Sequence, residues 1–154
     1  MNNNVFSVAK IFCKTKNWNI TNLALQKMLY IAQVFYIGMN NGQKLLDADF
    51  QAWDYGPVIP NVYRRFKMFG NKPIEDWAFP SDIPHCNKED ISFIETMAKK
   101  LVTLKSFQLV ALTHQNGTAW AKVYIPDAKN IPIYEKDMIT EYNEVWNKTD
   151  HVRK

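Results

Sequence analysis

The stretch LALQKMLYIAQVFYIGMN, residues 23–40, decides the fold. Leu25, Met28, Leu29, Ala32, Phe35, Tyr36 and Met39 recur at three- and four-residue spacing and line one face of a helix. The other side carries Leu23, Tyr30, Ile31, Val34 and Ile37, so the helix is apolar nearly all the way round. A soluble helix of that kind is covered by neighbours on several sides, which places this one at the centre of the molecule. Gln26, Lys27 and Gln33 interrupt it. A Lys on a covered helix needs a partner or a route to water for its ammonium. Two readings of Gln26 and Lys27 stay open: Lys27 pairs with a carboxylate such as Asp54 and fixes the helix to the following turn, or both residues line a groove that grips a partner.

Outward from this helix, the chain reads as further helices. Residues 4–16 place Val5, Val8, Ile11 and Phe12 inward and Lys10, Lys14 and Lys16 outward. Thr21 caps the central helix, and Asn40-Asn41-Gly42 ends it. An extended piece around Ala48–Trp53 runs into Tyr55-Gly56-Pro57-Val58, where the proline keeps Gly56 out of the α region. Val58, Val62, Phe66 and Phe69 then share a helical face, with Gly70 as the stop. Residues 71–87 hold three prolines and no periodicity, a loop expected to pack down through Trp77 and Phe79. Helices follow from Asn87 to about Leu104, from Ser106 to Thr113, and from Glu135 to Trp146, the last with Met138, Tyr142, Val145 and Trp146 as core positions. The expected fold is mainly α, a compact bundle of about six helices with a small β element near residues 44–54. One domain over 4–147 and a frayed polar tail over 148–154 are expected.

Three separated motifs add a resemblance. Leu25-Gln26-Lys27 with Tyr30, then Phe50, Ala52, Trp53, Gly56, Pro57 and Val58 with Tyr63, then Thr113-His114 with Trp120, resemble the motif series of the Panacea domain, the SocA-like antitoxin and phage-associated family. The resemblance spans about residues 5–146. It implies an antitoxin that neutralises a cognate protein toxin by direct binding, or delivers it to a cytosolic protease. The alternatives are a phage-associated host-interaction protein without a toxin partner and a nucleic-acid-binding regulator.

Composition narrows the classes. At 154 residues the chain can build its own core without disulfides or metal. Cys13 and Cys86 have no paired spacing, so free buried thiols are expected. The N-terminus has no basic region followed by an apolar run, and the protein reads as cytoplasmic, with no membrane partner. The net charge of +4 comes from lysines spread along the chain. A nucleic-acid footprint would be clustered, and the element before the Arg64–Arg65 helix is extended, which does not suit a helix-turn-helix. Direct nucleic-acid binding is not expected. No phosphate loop, nucleophile elbow or H-E-x-x-H occurs. His85-Cys86 offers two metal ligands without a second pair. The chain is therefore expected to be no enzyme, with no catalytic residue, metal or cofactor.

The turn Trp53-Asp54-Tyr55-Gly56-Pro57 is the best contact candidate. Aromatic side chains on a rigid turn offer large area at low entropic cost. Trp53, Asp54, Tyr55 and Tyr63 are the expected partner-binding residues. Trp53 serves equally well as a plug between helices. His114, just before Gln115-Asn116-Gly117, reads as closing a helix C-terminus.

Overall fold

The computed structural model describes residues 2–128 and 130–147. Among these residues are seven α-helices and one two-stranded antiparallel sheet, in the order α1 (Val5–Thr15), α2 (Asn22–Met39), β1 (Gln51–Trp53), β2 (Gly56–Val58), α3 (Pro60–Phe66), α4 (Lys88–Leu101), α5 (Ser106–His114), α6 (Ala119–Val123) and α7 (Glu135–Glu141). This is the mainly helical bundle that the sequence suggests. The polar tail over 148–154 lies outside the described residues.

Helix α2 is the axis. It packs against α1, α3, α4, α5, α7 and β2, which is why nearly every side of it is apolar. Leu25, Met28, Leu29, Tyr30, Ala32, Val34 and Ile37 are fully buried. The Thr21 hydroxyl accepts from the Ala24 N–H at 3.2 Å and so satisfies one of the orphan donors of the first turn. Gly38 is a point of close approach. A Cβ there would run into the ring of Tyr142, which belongs to a π-helical turn, Tyr142–Trp146, that extends α7.

The expected small β element is present: β1 falls within residues 44–54, and its partner strand follows at Gly56–Val58. Gly56-Pro57, expected as a turn into a helix whose face starts at Val58, forms that second strand with Val58, with Gln51 opposite Val58, Ala52 opposite Pro57 and Trp53 opposite Gly56. Helix α3 starts at Pro60, so Val58 is not on its face, while Val62 and Phe66 are buried as expected. A later segment continues the sheet: Ala52 N–H donates to the Ile131 carbonyl at 2.8 Å and Ile133 N–H to the Phe50 carbonyl at 3.0 Å. The hairpin is thus held by α2 and β1's outer neighbour together.

The long loop packs down through only one of its two rings. Phe79 is buried and meets Phe66 at 4.8 Å between centroids. Trp77 stays 67% exposed, its indole N–H donating to Glu75 and its edge against Phe69. Cys13 and Cys86 are buried free thiols. Burial, with the Asp76 carboxylate adding to it, pushes the Cys13 thiol up to about 12. Helix α5 begins after Lys105, whose N–H is capped by the Gln108 side chain at 2.8 Å, so Ser106 lies inside the helix.

Candidate functional site

Gln26 and Lys27 sit where α2 faces the hairpin, and each is tied to it. The Gln26 side-chain carbonyl accepts from Ile59 N–H at 2.8 Å, and its amide donates to the Asn22 side chain at 3.1 Å. Asn22 in turn donates to the Tyr63 carbonyl at 3.1 Å. These bonds clamp the first turn of α2 to the entry of α3. Lys27 is 0% exposed and donates to the Pro57 carbonyl at 3.0 Å, not to a carboxylate. Burial pulls its amine down from 10.5 to about 7. Gly56, at φ 111°, is the residue that lets this amine lie under the hairpin: a Cβ there would stand 2.8 Å from Lys27 Cε and 3.1 Å from His114 Cε1.

Asp54, the expected partner of Lys27, is turned elsewhere. Its carboxylate accepts from the Tyr124 hydroxyl at 2.7 Å and from Asp127 N–H at 3.0 Å. This pins the hairpin turn to the loop after α6. The same turn is braced from behind by two motif residues. Trp120 Nε1 donates to the Trp53 carbonyl at 2.8 Å. His114 Nδ1 donates to the Val110 carbonyl at 2.8 Å, closing the C-terminus of α5 as the sequence suggests, and its Nε2 lies 3.3 Å from the Asp54 carbonyl oxygen. The His114 and Trp120 rings pack at 3.9 Å between centroids, and Tyr124 stacks on the Trp120 indole at 4.4 Å. Thr113 is buried with its hydroxyl on the Val110 carbonyl. Leu25, Tyr30, Phe50 and Ala52 are core.

What these supports hold up is a groove of about 540 Å³. Trp53, Asp54, Tyr55 and Tyr63, the four residues expected to contact a partner, all line it, together with Gln26, Lys27 and Val58 from the motifs. Trp53 and Tyr63 are half-buried and meet edge to face at 5.0 Å. Tyr55 is 73% exposed at the tip. The remaining wall comes from Asn22, Leu23, Lys67, Gly70, Asp127 and Ala128. Of these, Lys67 reads from the sequence as plain solvated charge, and nothing local marks Asp127 and Ala128, although Asp127 N–H is bonded to the Asp54 carboxylate. Among the described residues no group of three or more His, Cys, Asp or Glu side chains is placed to hold a metal. No helix among them is long and apolar enough to cross a membrane. The arrangement offers shape, aromatic surface and one covered amine, the features of a site that binds.

The comparisons with known proteins agree with the motifs. The family described as Antitoxin SocA-like, Panacea domain matches residues 25–121. The antitoxin SocA of Caulobacter vibrioides is 36% identical over 110 residues, which cover 66% of this chain and 58% of that protein. The chain therefore spans little more than half the length of this relative. No solved structure matches.

Proposed function

Because the chain belongs to the SocA-like Panacea domain family, we propose that it is an antitoxin that neutralises a cognate protein toxin in the cytosol by direct binding, with the Trp53–Tyr63 groove as the contact surface. One observation carries the reading. The hairpin residues that the sequence marks as preorganised aromatics and the polar motif residues of α2 line the same groove, while His114 and Trp120 brace the turn. Rigid rings lose little entropy when a partner covers them, so a surface built this way suits recognition of a folded protein.

Co-expression with the neighbouring reading frame tests the proposal. The expected result is growth rescue from a toxic neighbour and co-purification of the two chains. A toxic neighbour that the protein neither rescues nor binds would sink it. Toxin abundance during rescue separates two modes: direct occlusion leaves the toxin level unchanged, and delivery to a cytosolic protease shortens its half-life.

A further inference from the structure

Lys27 is buried where it lines the groove, and its surroundings supply it with little. A buried ammonium normally has a counter-ion or several acceptors. Among the described residues the protein gives it one acceptor, the neutral Pro57 carbonyl. The titratable groups around the groove are Asp54 and Tyr55 on the hairpin, Tyr63 on α3, Lys67 after it, His114 on α5 and Asp127 on the loop. Asp54, the counter-ion that the sequence suggests, has its Oδ1 engaged by Tyr124 and Asp127 N–H. The amine is left as the covered, weakly satisfied donor of a groove whose other deep polar group, Gln26, is bonded at both ends.

We propose that the groove receives one acidic side chain of the protein partner, an Asp or Glu, whose carboxylate draws Lys27 Nζ off the Pro57 carbonyl and becomes its counter-ion. The inference rests on the groove being the partner-binding surface. Four rotatable bonds in the Lys27 stem allow the swing from the hairpin floor into the groove. A single acidic residue is specified, since among the described residues Lys27 is the one buried amine that lines the groove, whereas Lys67 on its wall is exposed beside the opposite charge of Asp127. Its neighbours in the partner are apolar, to match Leu23, Trp53, Tyr55 and Tyr63. A protein rather than a free small anion is specified because the 73% exposed Tyr55 and 38% exposed Leu23 form an apolar rim that only a larger body covers. Burial holds the Lys27 amine near pH 7 in the free protein, so the arriving carboxylate makes it take up a proton from solvent, and binding weakens as pH rises above neutrality.

The test uses the full chain with ¹³C-labelled lysine and three probes: acetyl-Phe-Glu-Phe-amide, acetyl-Phe-Gln-Phe-amide, and acetyl-Phe-Gln-Phe with a free C-terminal carboxylate. The Lys27 Cε resonance, assigned by its loss in Lys27→Met, is followed against pH. The expected result is that the Glu peptide raises the Lys27 midpoint by about one pH unit or more, that the Gln amide leaves it in place, and that folded Lys27→Met binds both equally. Equal midpoints with the Glu and Gln amides, or no response to any peptide at millimolar concentration, would overturn the inference. So would a shift with the free C-terminus alone, which would make the ligand a chain end. Toxin co-purification with Lys27→Met and with Tyr55→Ala separates the two claims: loss with Tyr55→Ala and undiminished, pH-independent binding with Lys27→Met leaves the groove reading standing and removes the acidic side chain.

Discussion

Glu141 and Lys27 are both fully covered, one packed against α2 and the other on it, yet the fold treats them in opposite ways. Glu141 on α7 is surrounded by donors: the Tyr30 hydroxyl at 2.6 Å and Ala119 N–H at 2.9 Å on Oε1, and Trp146 Nε1 at 2.9 Å on Oε2. Burial raises its carboxyl above the ordinary value, and the three donors pull it back. Lys27, one turn before Tyr30 on α2, has a single carbonyl. The first group is a structural knot that joins α2, α6, α7 and the π-helical turn. The second stands at the edge of a groove. A buried charge with all its partners inside the chain speaks for architecture, and one with few partners beside an open groove speaks for a ligand.

Breaking the knot should have the largest effect. Glu141→Leu leaves the buried Tyr30 hydroxyl and Ala119 N–H without an acceptor, at roughly 1–3 kcal/mol for each buried group left unpaired, so a loss of about 2–6 kcal/mol is expected. Chemical denaturation checks it, and a midpoint equal to the parent's would show that the knot is not structural. Leu29→Ala, a fully buried truncation on α2, should cost about 2–5 kcal/mol by the same assay. An unchanged midpoint would contradict the central place of that helix.

Lys27 sharpens the other side of the comparison through pH. Its folded-state value is near 7 against 10.5 for the ordinary amine. Between these values the unfolded chain holds a proton that the folded chain has given up, so stability rises with pH across that window and the penalty is fully present below 7. The slope approaches about 1.4 kcal/mol per pH unit, the worth of one proton. Cys13 acts in the opposite sense from its ordinary 9.0 up to about 12, because there the folded chain keeps the proton, so pH 7–9 isolates the lysine. Urea titrations across pH 7–9 should show the rise in the parent and not in Lys27→Met. A parallel pair of profiles would place a charged Lys27 in the folded state.

The all-round apolar pattern of residues 23–40 made the axis of the fold legible, since no other arrangement covers such a helix. The residues that line the groove were legible too, because Gly56-Pro57 marks a rigid turn and the rings beside it stand out. The second strand of the hairpin was not. Strands of three residues give too few alternations to register, and Gly56-Pro57 reads as a turn before the next helix although Pro57 stands opposite Ala52 in a strand. Nor was the knot: Glu141 meets Tyr30 across 111 positions of sequence, and no local pattern announces a lone carboxylate in the core. Trp77 shows the reverse limit, an aromatic expected to pack down that the loop leaves at the surface beside Phe69, while Phe79 goes into the core against Phe66.

The most direct test of the groove is Tyr55→Ala, a change at an exposed tip ring whose loss should alter stability by no more than about 0.5 kcal/mol. Titration against the toxin partner beside a thermal melt should show an unchanged melting temperature and binding weakened by about 1–3 kcal/mol, the scale of an interface anchor. Unchanged affinity in the folded variant would contradict the account and move the contact surface off the hairpin, with the exposed Trp77 loop as the next place to look.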